Sequence, residues 1–408
     1  MTAITKCRIC GSTDLAEVVN LGSMALTGIF PKRGVQVPTA SLQLLRCASG
    51  CGLVQLNDTY DLSQMYGENY GYRSGLNRSM VAHLQGMVAA IVEENMHLVR
   101  PGDIVVDIGS NDGTTLGFYP EHVRRIGVDP SGSKFRLFYK PGIELVPDFF
   151  SAAVLEPVLQ GHKAKVVTSF AMFYDLEDPL GFMKEVAGIL ADDGIWVMEQ
   201  SYLPAMMESN AIDTVCHEHI EYYALRQIEW MAERAGLQVT SVRETGTNGG
   251  SFVLVLEKQN NLGLPHPTVS DMRTREHRAA LHDPFVYEAF KLRSAAAMGV
   301  LEEFLVEAQR RGRTCAGLGA STKGNVVLQS IIDVKELIVS IGDVNPDKWG
   351  CVTPGTGIPI WSEDDVLGDN PDYLVVLPWH FRRNFLTNPK FKGRRLVFPL
   401  PQLEIVQL

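Results

Sequence analysis

The chain has 408 residues, 45% hydrophobic and 21% charged, and at roughly 150 residues per domain it is expected to form two or three domains. This composition excludes a disordered, collagen-like or coiled-coil protein. The net charge of −10 provides no basic field for a nucleic-acid backbone. No apolar run reaches the roughly 18 residues of a membrane span, and the first residues lack the apolar core of a signal peptide. We therefore expect a cytoplasmic protein with no nucleic-acid or membrane partner, and the oligomeric state stays open.

Four of the seven cysteines form two short pairs early in the chain. The pairs are Cys7 with Cys10 and Cys47 with Cys51. Each pair can present both thiolates to one tetrahedral ion, for which zinc is the natural occupant. Gly11 and Gly52 follow the pairs and permit the tight turns that aim backbone amides at thiolate sulfur. Four thiolates leave no open coordination position, so we predict a structural zinc ion, the alternative being four unrelated buried cysteines.

The apolar pattern of the middle region indicates an α/β domain. Residues 78–98 have helical spacing, and short apolar strands separated by helical stretches follow. The predicted strands are Ile104–Ile108, Arg125–Val128, Lys165–Ser169, Gly194–Glu199, Leu237–Val242 and Phe252–Glu257, with a weaker one at Glu144–Val146. This alternation predicts a doubly wound sheet.

The first of these strands runs into a loop suited to a nucleoside. The chemistry-bearing residues of this loop are Asp107, Gly109, Asn111, Asp112 and Gly113. Its glycines let the backbone approach a ligand, but it lacks the three-glycine pattern that seats a pyrophosphate. Asp129 ends the next strand, where a carboxylate can accept hydrogen bonds from both ribose hydroxyls. The loop therefore predicts a nucleoside site, and the alternative is a purely structural turn.

The densest titratable cluster is the stretch DTVCHEHIEYY, Asp213–Tyr223. Two histidines two residues apart lie on opposite faces of a strand or diverge in a loop, unlike the helical spacing of an HExxH metal site. Histidine titrates near neutral pH, and an adjacent carboxylate can orient it and stabilise its protonated form. We predict His219 as a general base with Glu218 as its partner, the alternative being a structural histidine.

Two aromatic stretches accompany this cluster. Residues Tyr66–Gly75 bridge the cysteine segment to the sheet and can cover the nucleoside pocket, with Tyr70 or Tyr72 donating a hydrogen bond to a developing oxyanion; the alternative is an ordinary linker. The stretch after the fourth strand lies at the edge where such sheets bind ligands. There we expect Met172 and Phe173 to plug the end of the sheet.

The loop VVDIGSNDGTTL is similar to that of class I S-adenosylmethionine-dependent methyltransferases, a resemblance that places Asp148 near the adenine. Together with the four cysteines, NYGYRSG, FYDLEDP and HEHIEYY, it makes almost the whole chain resemble the sugar C-methyltransferases that act on nucleotide-linked 4-keto-deoxyhexoses. The resemblance implies an N-terminal zinc-binding domain, a Rossmann-like methyltransferase sheet and a C-terminal domain that helps enclose the nucleotide sugar. It also implies S-adenosylmethionine as methyl donor and C3 of the sugar as acceptor.

The resemblance carries roles onto single residues. His219 would remove the C3 proton with Glu218 as its partner, and Tyr70 would be a substrate-side hydrogen-bond donor, with Tyr72 also near the substrate. Cys216 stands where some members have a tyrosine, which implies either a different sugar or stabilisation of the enolate by Tyr222 or a backbone donor instead. The domains implied are residues 1–72, 73–260 and 261–408.

The last part of the chain predicts a third, Rossmann-like unit. A long helix at about Pro284–Gln309 precedes the glycine-rich loop Thr314–Asn325, and predicted strands follow at Leu337–Ile341, Tyr373–Leu377 and Arg395–Phe398. We expect Lys323, with Asn325, to bind the sugar diphosphate from this loop, although a fold without ligand is an equal alternative. Asp343 follows at a distance that imitates an NAD fingerprint or simply caps a turn.

Three other functions stay open at the level of sequence. O- or N-methylation would use the same donor site without an enolate. An NAD-dependent sugar oxidoreductase would use the C-terminal glycine loop. A zinc-bearing scaffold would bind no nucleoside.

Overall fold

The computed structural model describes residues 2–60, 72–259 and 264–408. Its strands are β1 (Thr2–Ala3), β2 (Leu15–Ala25), β3 (Thr39–Cys47), β4 (Val54–Leu56), β5 (Asp58–Thr59), β6 (Ile104–Ile108), β7 (Arg124–Val128), β8 (Ile143–Val146), β9 (Ala164–Phe170), β10 (Leu190–Ser201), β11 (Glu221–Tyr222), β12 (Leu237–Thr245), β13 (Ser251–Lys258), β14 (Cys315–Leu318), β15 (Ile341–Asp343), β16 (Ile360–Ser362), β17 (Tyr373–Val376), β18 (Arg395–Phe398) and β19 (Glu404–Gln407). Its α-helices are α1 (Arg78–Glu94), α2 (Gly132–Phe135), α3 (Ala152–Leu159), α4 (Pro179–Ile189), α5 (Leu203–Glu208), α6 (Leu225–Arg234), α7 (Pro267–Arg278), α8 (Pro284–Arg310), α9 (Thr322–Gln329), α10 (Val334–Leu337), α11 (Glu363–Gly368) and α12 (Arg382–Thr387).

The middle of the chain forms a seven-stranded sheet in the order β12-β13-β10-β9-β6-β7-β8. Strands β8, β7, β6, β9 and β10 are parallel, and β13 is antiparallel to both β10 and β12. Every residue of β6 is buried, as expected of a central parallel strand that is covered on both faces. All seven strands predicted for this region are confirmed, and so is the doubly wound α/β fold.

A second sheet has the order β11-β4-β3-β2 and belongs mostly to the N-terminal region. Its edge strand β11, however, comes from the stretch that holds the two predicted catalytic residues. Glu221 pairs with Gln55, and Tyr222 pairs with Val54. The N-terminal sheet therefore fixes the end of that stretch by backbone hydrogen bonds.

The C-terminal sheet has the order β16-β15-β14-β17-β18-β19, and its first five strands are parallel. The third Rossmann-like unit is thus present, and α8 confirms the long helix before it. The strand predicted at Leu337–Ile341 is wrong, because the chain first closes the short helix α10 with a hydrogen bond from the Ile338 N–H to the Val334 carbonyl, and β15 begins only at Ile341.

Helix α7 follows the predicted boundary at residue 260 but packs on the middle sheet, where Val269 and Met272 join the same apolar core as β6, β9 and β10. The domain boundaries at residues 72 and 260 stay predictions. Among the described residues, no helix combines the length and the apolar character needed to cross a bilayer.

Candidate active site

The four cysteines of the N-terminal region converge as the sequence predicts. The Sγ atoms of Cys7 and Cys51 are 3.5 Å apart, as are those of Cys10 and Cys47, and all four sulfur atoms lie within 4.8 Å of one another. A tetrahedral Zn²⁺ with Zn–S bonds of about 2.3 Å requires S–S distances near 3.8 Å, so these cysteines fit zinc. Gly11 and Gly52 have φ angles of +74° and +80°, which confirms the tight turns after each pair.

The nucleoside loop after β6 is bent back on itself by residues in left-handed conformations. Gly109 and Gly113 have φ angles of +75° and +74°, and Asn111 has a φ of +49°. The bend brings the Asn111 N–H to the Asp129 carboxylate at 2.8 Å, while the other oxygen of Asp129 accepts the Ser131 N–H at 2.7 Å. Asp129 thus fastens the loop at the end of the second strand, where a nucleoside would lie.

Asp107 lies beneath this loop rather than in it. Its side chain is buried and accepts a hydrogen bond from the Thr168 hydroxyl on the neighbouring strand. Burial raises the pKa of Asp107 to about 7 because the charged carboxylate loses solvation, an effect that the Thr168 hydrogen bond partly offsets. This residue therefore supports the loop from below.

The polar side chains of the loop hold the segment that enters α1. Asn111 accepts the Ser74 N–H at 2.9 Å and donates to the Tyr72 carbonyl at 3.2 Å. Asp112 accepts the Gly75 N–H at 2.9 Å. The stretch predicted to cover the nucleoside pocket thus lies against the loop at residues 72–75, with the Tyr72 side chain 44% exposed. Tyr70 lies outside the described residues.

Two side chains cover the loop, and their positions explain its glycines. A Cβ on Gly109 would approach Met172 Cγ to 3.1 Å, and a Cβ on Gly113 would approach the Tyr139 ring to 2.9 Å. Phe173 is fully buried, as predicted, whereas Met172 faces the loop. Asp148 is exposed beyond the end of β8, where its carboxylate accepts the N–H of Phe149.

His219 is held in one orientation by the chain itself. Its Nδ1 lies 3.2 Å from the Thr214 carbonyl oxygen, which places the proton on Nδ1 and leaves Nε2 as a proton acceptor. Its ring packs on that of Tyr174 with 4.2 Å between centroids. Burial, assisted by the positive charge of Lys323, lowers the pKa of His219 to about 3. The imidazole is therefore neutral at pH 7, as a general base must be.

The predicted partner, Glu218, does not take the orienting position, which belongs to the Thr214 carbonyl. Its Oε1 lies 3.4 Å from the Thr322 hydroxyl at the start of α9 and against Gly28, where any side chain would overlap it. Its Oε2 is buried and has no hydrogen-bond partner within residues 2–60, 72–259 and 264–408. Burial raises the pKa of Glu218 to about 7.

The neighbours of this pair have structural partners. His217 Nδ1 accepts the Thr27 N–H at 3.3 Å, so it joins the stretch Asp213–Tyr223 to the N-terminal region. The Tyr222 hydroxyl donates to the same Thr214 carbonyl as His219, at 3.2 Å. Cys216 is completely buried, and burial raises the pKa of its thiol well above the ordinary value, which keeps it protonated and unsuited to act as a nucleophile.

The C-terminal unit packs against the residues near this pair. Lys323 Nζ donates to the Asn248 carbonyl at 2.9 Å, and Trp379 Nε1 donates to the Asp213 carboxylate at 2.9 Å. Asn325, predicted to bind substrate, is buried and donates to the Thr27 carbonyl at 2.7 Å. The sequence alone assigns no role to Asp213 or Trp379; the available signal was the PWHF motif, Pro378–Phe381, which follows β17 at the carboxyl edge of a parallel sheet.

The chain matches three protein-family models in sequence order. Residues 7–66 match a zinc binding domain, residues 80–242 a methyltransferase domain, and residues 246–401 the C-methyltransferase C-terminal domain. A curated relative, the C-methyltransferase NovU of Streptomyces niveus, is 28% identical across 99% of this chain and 97% of its own length.

Among solved structures, the chain is similar to magnesium protoporphyrin IX methyltransferase from Synechocystis PCC 6803 with bound S-adenosylhomocysteine, at 16% identity and a TM-score of 0.34 over 48% of this chain and 93% of that one. The mitomycin 7-O-methyltransferase MmcR is 11% identical, with a TM-score of 0.35 over 44% of this chain and 54% of that one. The fold assignment rests on the strand order and the family models.

Proposed function

Because this chain is an S-adenosylmethionine-dependent C-methyltransferase with a zinc-binding domain, we propose that it methylates C3 of a nucleotide-linked 4-keto-deoxysugar through an enolate. The observation that carries the proposal is the orientation of His219, whose Nδ1 is held by the Thr214 carbonyl while Nε2 is left to accept a proton. The cytoplasmic location expected from the sequence is part of the proposal.

Methylation of a carbon next to a ketone begins with removal of a proton by a base, and the methyl group is transferred afterwards. The C3–H bond of a 4-keto sugar is acidified by the adjacent carbonyl, and its proton passes to Nε2 of His219 while the electron pair moves onto the ketone oxygen. S-adenosylmethionine supplies an electrophilic methyl group when it is bound. Neutral His219 beside the Tyr174 ring matches the requirement for a positioned, unprotonated base.

The residues of the donor site fit an adenosyl group. Asp129 is the group that would accept the ribose hydroxyls, Asp107 supports the loop from beneath, and Asp148 lies beyond the next strand, where the adenine would extend. The turns at Gly109 and Gly113 bring backbone close to the ligand, while Asn111 and Asp112 fix the entering segment.

The test measures proton exchange separately from methyl transfer. The protein is mixed with S-adenosylhomocysteine and a panel of nucleotide-linked 4-keto-deoxyhexoses in deuterated water, and mass spectrometry follows deuterium incorporation at C3. S-adenosylmethionine is then added and the methylated product is analysed. We expect exchange in the first reaction and a product with the methyl group on C3 in the second.

Two variants make the test specific. His219→Asn should abolish exchange and turnover while S-adenosylhomocysteine binds with nearly unchanged affinity by calorimetry. His266→Asn changes an exposed histidine at the start of α7 and should behave as wild type. A methylated product that keeps its C3 hydrogen would show O- or N-methylation and would overturn the proposal, as would full activity of His219→Asn.

A further inference from the structure

Lys323 is a half-buried cation in the first turn of α9, directly after Thr322, whose hydroxyl lies 3.4 Å from Oε1 of Glu218. Its Nζ donates to the carbonyl of Asn248, 75 residues away in sequence. Asn248 lies in the turn before β13, where three consecutive residues, Asn248, Gly249 and Gly250, have φ angles of +54°, +91° and +126°. Glycine adopts positive φ freely, so the unfavourable conformation in this turn is that of Asn248, and such non-glycine residues cluster at functional sites. Lys323 and Trp379 both contact this turn.

Two groups that interact electrostatically with Lys323 each have a buried polar atom without a hydrogen-bond partner among the described residues. These atoms are Oδ1 of Asp213 and Nδ1 of His380. Asp213 itself is completely buried, although its second oxygen accepts the Trp379 N–H. A buried polar atom without a partner costs about 1–3 kcal/mol, so a concentration of them in one place indicates a polar ligand that is bound there.

The positive charge of Lys323 affects the pKa of the proposed base, His219. It lowers the pKa of His219, and it lowers the pKa of His380, in both cases after burial as the larger cause. Asp213 and Cys216 in turn favour the charged form of Lys323, although burial lowers its pKa. Helix α9 packs against residues Ile212–Thr214, and the Thr214 carbonyl orients His219, so Lys323 lies on the element next to the proposed base.

Two other candidate donors for the enolate oxygen among the described residues, Tyr222 and Cys216, are less suited to hold it. The Tyr222 hydroxyl donates to the Thr214 carbonyl, and Cys216, in place of the phenol of some relatives, offers only a weakly donating thiol. A lysine ammonium has three N–H donors, of which one is directed to Asn248. It can therefore bind an oxygen atom while it remains anchored to the turn.

We propose that Lys323 donates a hydrogen bond to the ketone oxygen of the sugar and stabilises that oxygen as it becomes an enolate, with Asp213 as the counter-ion. This assignment rests on the proposed function. In the step, the C3–H bond breaks, its proton goes to Nε2 of His219, and the electron pair ends on the oxygen held by Lys323. C3 then forms its bond to the methyl group as the carbon–sulfur bond breaks and sulfur keeps that electron pair. The role replaces the diphosphate contact expected from the sequence.

The test compares Lys323→Met with Lys323→Arg, using C3 deuterium exchange in the presence of S-adenosylhomocysteine. Removal of one oxyanion donor typically lowers kcat by about 10²- to 10³-fold, so we expect Lys323→Met to lose about that factor in exchange and in methylation. Lys323→Arg keeps the charge and should recover a measurable share. Melting temperature and S-adenosylhomocysteine affinity are measured for both variants, and Lys323→Gln replaces Lys323→Met if the latter does not fold.

A pH profile separates this role from a structural one. Loss of the positive charge raises the pKa of His219, so the acidic limb of the rate profile should move to higher pH in Lys323→Met and stay near wild type in Lys323→Arg. The other titratable groups around His219 are Glu218, Cys216 and Asp213 on its own segment, Tyr174 and Asp175 before α4, and His380 after β17. These groups are unchanged in both variants.

The outcomes separate this assignment from the proposed function. If wild type exchanges C3–H and Lys323→Met exchanges it equally fast, Lys323 does not hold the ketone oxygen and the proposed function stands. If Lys323→Met raises only KM for the nucleotide sugar, the lysine binds the diphosphate and our assignment is wrong. If wild type itself exchanges no C3–H with any sugar of the panel, the proposed function fails and the assignment fails with it.

Discussion

The two Rossmann-like units of this chain share a strand order and a turn but differ in what fills the turn. The sequence β8-β7-β6-β9-β10 of the middle sheet corresponds to β16-β15-β14-β17-β18 of the C-terminal sheet. In the first unit Asp129 accepts the Asn111 N–H at 2.8 Å, and in the second Asp343 accepts the Ala320 N–H at 2.7 Å. The carboxylate that ends the second strand fastens the first loop in both.

The two units differ in the residues that lie beside and beneath this carboxylate. Lys348 Nζ lies 3.8 Å from Asp343 and donates to the Ala320 carbonyl at 2.6 Å, so an internal cation occupies the crevice of the second unit. Strand register aligns Asp107 of the first unit with Gly317 of the second. An acidic residue at the end of the second strand is therefore a structural part of the turn in both units. It indicates a nucleoside site only where no side chain of the protein occupies the crevice beside it.

The largest expected effect tests whether the two units are independent. Both contact the N-terminal region, through the Gln227 side chain on the Cys51 carbonyl and the Gln329 side chain on the Ala25 backbone. Loss of zinc removes on the order of 10 kcal/mol of binding free energy. We expect Cys47→Ser to lose its zinc by elemental analysis and to lower the melting temperature of both units together. Cys351→Ser, outside the cluster, should keep its zinc; two separate transitions in Cys47→Ser would show independent units.

The next effect concerns the carboxylate of the second unit. Asp343→Ala leaves Lys348 without its nearest counter-ion and should lower the free energy of unfolding by about 3 kcal/mol. Chemical denaturation measures this loss. Affinity for S-adenosylhomocysteine should not change, and a large drop in that affinity would mean that the second unit takes part in donor binding.

The matched change in the first unit should reduce ligand affinity strongly and stability only modestly. Asp129→Ala removes the proposed acceptor for the ribose hydroxyls, and the net loss of one hydrogen bond to a charged group is worth about 1.5–3 kcal/mol. We expect S-adenosylhomocysteine to bind roughly 10- to 100-fold more weakly by calorimetry, with a modest change in melting temperature. Unchanged affinity would contradict the nucleoside site and make both carboxylates equivalent turn residues.

The smallest effect concerns Asp107, which the second unit replaces with glycine. Its pKa is raised by burial to about 7, so the folded state binds a proton more tightly than the unfolded chain does. Its contribution to stability is therefore present at low pH and is lost as the pH rises from about 4 to about 7. Asp107→Asn should flatten the fall in melting temperature over that range, whereas the exposed Asp14→Asn should keep the wild-type slope.

The sequence predicts this fold well where a pattern is local. The apolar strands, the cysteine pairs and the turns at Gly109 and Gly113 are each readable within a few residues. The run around Val334–Ile341 is misleading because its apolar, β-branched residues favour a strand, whereas Asp333 takes a left-handed conformation, with a φ of +50°, and starts a short helix. Tertiary context decides there against propensity.

The candidate site, too, is predictable only where its residues form a local pattern. His219 and Glu218 are visible in one short motif, but the contact that orients His219 comes from a backbone carbonyl, which no side-chain pattern reveals. The pairing of Asp213 with Trp379 spans 166 residues and depends on how the C-terminal unit closes on the middle sheet. Such contacts follow from the packing of whole units.

The edge pairing of β11 with β4 has a consequence for recombination between relatives. A chimera joined directly after residue 60 would keep one parent's β4 and the other's β11, and would divide the hydrogen bonds of His217 and Gln227 between two parents. A transfer of substrate specificity between relatives should therefore succeed when residues 2–60 move together with residues 212–227. These two segments are separate in the gene but adjacent in the folded protein.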